Sequence, residues 1–382
     1  MSLGHYLAKF RDQHGVQKTV QFFQQAVKEG KVTRDQISLR NLAEGLLGYD
    51  WTTGVMRVRE SWAAIDPSAF SNITGQLLIN EVKDRYKAAD FIGEQLVDTV
   101  KITNGNLGTQ KTPWLSAIVD APDVLHPQQQ YPFSVFQEQW ITYPAPIKRG
   151  MICAVTMEMI FSDLTGQAME AARAVAERLA IQKEENILNV VLGLTNNHIW
   201  NDTSYSTYVS TPWDNTITSN TLVNWESLNV VEQQLAGMTD PVSGKAIMIK
   251  PSALLVMPYR KYNAKRVLNA TETRSGDITT GTGDQILSVN PLDTKYPVLA
   301  SQYAYNLLVA SGVSAANARE YFYLGDFKKA FVYREVHPLD TVQAPPYYIR
   351  QFEQDIAVAV RCSEYGVAGV RDPRFVCQSI NS

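Results

Sequence analysis

A catalytic or metal centre needs nucleophilic, titratable or ligating side chains at a spacing that lets them converge. In this chain of 382 residues they are dispersed. The five histidines, His5, His14, His126, His198 and His337, form no H-x-x-x-H pair, and none sits beside an acid at metal-ligand spacing. Each reads as an ordinary core or surface imidazole. Cys153, Cys362 and Cys377 lack C-x-x-C spacing and read as reduced thiols of a protein made in the cytoplasm. GMTDPVSGKA (237–246) resembles a phosphate loop only in outline. Six residues, not four, separate Gly237 from Gly244, and Ala246 follows Lys245 where Ser or Thr must hold magnesium. GTGDQ (281–285) lacks the third glycine of a dinucleotide loop and follows no strand, and there is no G-x-S-x-G elbow. Asp163, Glu184 and Glu185 lie on or near a long helix, where charges normally form a solvated face. The expectation is no catalytic, cofactor-binding or metal-binding residue, and no enzyme.

The elements that would have to position such groups point elsewhere. Hydrophobic residues make up 45% and charged residues 19%, enough for a sizeable core in two or three domains. A net charge of −3 argues against a protein held on nucleic acid by a broad basic face, though not against a shell that encloses it. MSLGHYLAKFRDQHG has no apolar core of a secretory signal, and no apolar run reaches the ~18 residues of a membrane span. The sequons at Asn72, Asn201 and Asn269 are then chance matches.

Residues 1–95 read as mainly helical, with narrow apolar stripes. Val16, Val20, Phe23 and Val27 share one face, as do Leu39, Leu42 and Leu46, while Trp51, Trp62 and Phe70 fall in an irregular stretch. From 96 to 150 prolines at 113, 122, 127, 132, 144 and 146 exclude helix and central strand. A long two-stranded excursion resting on a neighbour fits best. Residues 155–193 then read as a short turn followed by one long amphipathic helix of about 28 residues. Ala168, Ala172, Val175, Leu179, Ile187 and Val191 make its stripe, Asp163 or Thr165 its cap, and Gly193 its stop. Residues 195–220 read as a polar loop. Alternating helix and strand over 223–335 indicates an α/β domain, with an apolar extended run at 246–258 and a strand, a Gly325-Asp326 turn and a strand at 320–336. FEQDIAVAVRCSEYGVAGVRDPRFV (352–376) reads as a strand, a Tyr-Gly turn and a second strand.

This order resembles the major capsid proteins of tailed bacteriophages, the Hong Kong 97-like fold. The residues that carry the resemblance are GMICAVTMEMIFSDLTG (150–166), YLGDFKKAFVYREVHPLD (323–340) and the 352–376 stretch. It implies an α+β chain with an N-terminal arm at 1–95 and an E-loop at 96–155. A P-domain follows at 156–222 with its spine helix, then an inserted A-domain at 223–335 and closing P-domain strands at 336–382. The implied function is an icosahedral head shell of hexamers and pentamers around double-stranded DNA, assembled in the host cytoplasm and resident in the virion. The partners implied are a portal, a separate scaffolding protein and a cement protein, with no cofactor and no membrane. The start at Met1 suggests a retained arm, strapping a neighbour or the spine through Phe22, Phe23, Leu39, Leu42 and Leu46.

Candidate interface residues are Trp114, Phe133, Phe136 and Trp140 on the excursion and Lys148 and Arg149 at its end. Glu353, Asp355, Arg361, Arg371 and Asp372 in the closing stretch complete the set. Some family members join subunits through an E-loop Lys and a P-domain Asn. Lys101, Lys111 and Lys148 could supply the amine, but 338–380 contains no Asn, so a noncovalent shell is expected. An encapsulin-type nanocompartment is the alternative within the same fold, and an unrecognised soluble enzyme is the alternative of another class.

Overall fold

The computed structural model describes residues 3–29, 38–40, 42, 49–50, 55–56, 67–88, 91–102, 108–115, 138–162, 165–195, 198–240, 244–275, 286–290, 292, 296–345 and 356–381. They form two compact units, each assembled from three chain segments. One comprises 1–90, 148–182 and 337–365, and the other 91–147, 183–336 and 366–382. The long helix, Thr165–Val191, contributes residues to both. At ~1.5 Å per residue it is about 40 Å long. Every residue of its expected stripe is buried. It stops where Gly193 turns left-handed at φ 74° and its N–H bonds back to the Val190 carbonyl at 3.1 Å.

In the first unit, helices Leu3–His14, Val16–Lys28 and Pro67–Ala88 pack with the 165–182 part of the long helix. Against them lie strand Ile147–Thr156 and the 356–365 part of strand Ile356–Val370. Cys153 and Val155, like Val358, Val360 and Cys362, alternate along their strands, so one sheet face meets the helices. Ala168, Ala172 and Ala176 are small enough to let that face come close. The 67–88 helix corrects the sequence reading, which left Phe70 in irregular chain. Pro67 at its first position and the spacing of Ile73, Leu77, Leu78 and Val82 account for it. Phe23, Leu39 and Leu42 are core residues of their own chain, in one cluster with the long helix. The Leu39 N–H donates to Thr165 Oγ1 at 2.8 Å. Phe22 remains exposed, stacked on Phe10, and Leu46 lies outside the described residues.

The second unit is built on a five-stranded sheet ordered Val298–Ala300, Ala253–Val256, Phe322–Gly325, Val376–Ile380, Thr216–Thr218. Both faces are covered. Leu254, Val256, Phe322, Leu324 and Cys377 face a cluster with helices Trp225–Ala236 and Lys261–Asn269. Leu255, Tyr323 and Val376 join a second cluster with Leu308 of helix Gln302–Ala310 and with Leu188 and Val191. Two covered faces explain the unbroken apolar run at 253–257.

Three local readings change. The 320–336 stretch is not a hairpin. Strand Phe322–Gly325 is followed by a short helix, Phe327–Ala330, and then by strand Phe331–Gln343. Tyr365-Gly366 is not a turn but lies inside strand Ile356–Val370. A Cβ at Gly366 would stand 2.6 Å from the Tyr333 hydroxyl, so a larger residue would force that ring to shift; the turn comes later, at Pro373–Phe375. The expected loop at 195–220 holds strands His198–Trp200, Thr203–Tyr205 and Thr216–Thr218. Asn201 and Asp202, at φ 47° and 64°, form the two-residue turn of the first hairpin.

Candidate functional site

The excursion begins and ends as a ladder. Gln110–Leu115 pairs antiparallel with Glu138–Tyr143, which pairs in turn with His198–Trp200. Asn201 Oδ1 accepts from the Trp140 backbone N–H at 3.0 Å, and Gln139 Oε1 accepts from the Trp200 indole at 3.2 Å. Lys111 Nζ bonds Asp202 Oδ2 at 2.8 Å and lies 4.9 Å from the Trp140 ring centre. That hydrogen bond holds the Asp202 carboxyl below its ordinary pKa. The excursion's root therefore belongs to the fold of its own chain.

Beside it, Asp98 Oδ2 takes a hydrogen bond from Arg371 at 2.9 Å, and Arg334 stacks 5.3 Å from the Tyr143 ring. Burial raises the Tyr143 pKa, against the pull of Arg371 and Arg334. Deeper, Arg374 is bidentate on Asp372, at 2.8 and 2.7 Å, and reaches Asp240 Oδ1 at 3.0 Å. All three side chains are buried. Asn215 ties the neighbouring loop down. Its Nδ2 donates to the Thr207 and Pro373 carbonyls and its Oδ1 accepts from Val209 N–H.

Of the interface candidates, Trp140 is half-buried in the ladder, and Lys148 and Arg361 are exposed. Arg149 is half-buried, Arg371 pairs with Asp98, and Asp372 is committed to Arg374 inside its own chain. Phe133, Phe136, Glu353, Asp355 and the Trp114 side chain lie outside the described residues. Glu184 corrects the sequence reading of a solvated face. It is buried, and its carboxylate accepts from the Ile92 and Gly93 N–H groups at 3.2 and 2.8 Å. It thereby satisfies orphan donors at the start of helix Gly93–Leu96, and burial raises its pKa. Arg334, Asp240 and Glu184, and the Asn215 bond to Pro373, were not legible, because each pairs residues far apart in sequence.

His198 is buried edge-on to Trp213, with ring centres 5.4 Å apart. Burial pushes its imidazole down to about 4, against smaller upward effects of Asp372 and the Val370 backbone. The unfolded chain takes up this proton near pH ~6.5. Stability therefore falls as pH drops from ~6.5 towards 4, by ~3 kcal/mol for this group. Urea midpoints across that window should flatten in His198→Gln relative to the wild type; parallel curves would assign the acid lability to other groups.

Cys153, Cys362 and Cys377 are buried free thiols, the first two raised by burial to about 11 and the third to about 12. Among the described residues no three His, Cys, Asp or Glu side chains are grouped to hold a metal, and no helix is long and apolar enough to cross a membrane.

Comparison with curated proteins finds no match. Among solved structures, the chain is similar to the capsid of cyanophage P-SCSP1u, at 12% identity and TM-score 0.48 over 76% of this chain and 88% of that one. It is similar to the cyanophage Pam1 capsid at 11% identity and TM-score 0.48, over 75% and 88%. It is also similar to a virus-like particle from Pyrococcus furiosus at 10% identity and TM-score 0.42, over 80% and 98%. The family model described as phage capsid protein matches residues 142–379. That span holds the long helix, the α/β segment and the closing strands, in the order implied by the Hong Kong 97-like resemblance. It covers well over half of this α+β chain, which belongs to the phage capsid protein family.

Proposed function

We propose that this chain assembles with copies of itself, as hexamers and pentamers, into the icosahedral head shell of a tailed phage. The observation that carries this is the family match over 142–379. The role is structural, without catalysis, and the shell encloses double-stranded DNA by confinement, since a chain of net charge −3 offers no general basic lining. A portal, a separate scaffolding protein and a cement protein are the partners such a shell would use. Expression of the chain followed by negative-stain microscopy tests the reading. Icosahedral shells are expected. Shells loaded with a folded protein cargo would favour a nanocompartment, and small discrete oligomers would refute both.

The shell should be held without covalent stitching. An isopeptide bond needs a Lys amine against an Asn amide, with an acid to manage the proton. Lys111 is engaged by Asp202 and Trp140, and no Asn occurs between 338 and 380. Boiled particles should run as one band near the chain mass of 42.7 kDa. A reductant-resistant ladder would contradict this.

A further inference from the structure

We propose that the cavity at the root of the excursion is a socket for a carboxylate side chain from a second copy of this chain, with Arg334 as its cationic floor. The inference rests on the shell reading above. The cavity measures about 280 Å³, and Val100, Ile102 and Val332 contribute apolar wall. Its charged lining is Lys101, Arg334 and Arg371, all basic. Arg334 is only 5% exposed. Its partners are neutral: Gln110 Oε1, the Pro144 carbonyl at 3.5 Å and the Tyr143 ring. Among the described residues no carboxylate pairs with it. Arg371 already has Asp98, and Glu335, the register partner of Lys101, does not line the cavity.

A guanidinium taken out of water without a counter-ion is costly, and its planar fork matches a carboxylate with two parallel bonds. The cavity has the size of a side chain and partly apolar walls, which suits an entering Asp or Glu better than a phosphodiester backbone. The chain is itself acidic, with 38 Asp and Glu against 35 Lys and Arg, so each neighbouring copy brings carboxylates. Such a contact would fix the register of assembly as much as its strength.

Gln110→Glu tests this directly, because it sets a carboxylate of the chain's own against Arg334 in nearly the same volume. The isolated subunit should melt at higher temperature, while shell yield, counted by sedimentation and microscopy, should fall at least about tenfold, equivalent to about 1.4 kcal/mol. Wild-type shell yield from this variant overturns the socket. Arg334→Lys keeps the charge and adds an amine that a carbodiimide can couple to a carboxylate. In shells assembled from isotope-labelled and unlabelled copies, that amine should couple across copies. Coupling confined to one copy, or no coupling at all, overturns the proposal. If the wild-type chain forms no shells, the shell reading fails and the socket fails with it. Normal wild-type and normal Gln110→Glu shells remove the socket alone.

Discussion

Arg374→Met is expected to destabilise the folded chain by about 3–5 kcal/mol, the usual cost of breaking a buried ion group by removing one member. The reason is what remains. Asp372 and Asp240 are buried, and both use Arg374 as counter-ion. Methionine fills much of the volume but removes the guanidinium that both carboxylates share. The damage is central, because Arg374 sits in the Pro373–Phe375 turn that leads into strand Val376–Ile380. That strand lies between Phe322–Gly325 and Thr216–Thr218 in the five-stranded sheet. Urea denaturation of the isolated subunit reads the effect. Replacing all three residues with apolar ones of matched volume should restore much of the loss, since a buried ion group rarely exceeds a well-packed apolar one in stability. A single-variant loss below about 1 kcal/mol would show that the triad is not what holds the turn.

Replacing residues 116–137 with a short turn should give a soluble, folded chain that makes no shells. The strands on either side, Gln110–Leu115 and Glu138–Tyr143, have their own pairing and a further partner in His198–Trp200. The replacement therefore leaves both strands and that partner in place. Phe133 and Phe136 are removed with that segment, and in the shell reading such apolar residues serve a neighbouring subunit. The deletion has to stop at these strands. Taking the whole stretch from 105 to 140 would also remove strand Gln110–Leu115 and half of the next, and so would confuse misfolding with failed assembly. Circular dichroism and thermal melting should match the wild type while sedimentation finds no particles. Wild-type shells from the replacement would take the excursion out of the assembly mechanism.

The sequence alone determined what neighbouring residues can encode. The apolar stripe from Ala168 to Val191 repeats at helical spacing, and Gly193 supplies the left-handed stop, so the long helix could be read directly. The apolar extended run read at 246–258 contains strand Ala253–Val256, though its two covered faces came only from the structure, and the order of parts carried the capsid resemblance. The Asn201-Asp202 turn was equally local and could have been read as a hairpin signal. The tertiary structure decided what depends on residues far apart in the chain. Tyr-Gly at 365–366 looks like a turn until Tyr333 packs where a side chain would stand. Glu184 looks like a solvated charge until the N–H groups of Ile92 and Gly93, more than ninety residues earlier, arrive to be capped. Arg374 meets Asp240 across 134 positions, and Arg334 meets Gln110 across 224. Periodicity records which face of an element is apolar. It carries no record of which distant polar group will lie opposite, because that is settled only when sheet order and register bring the segments together.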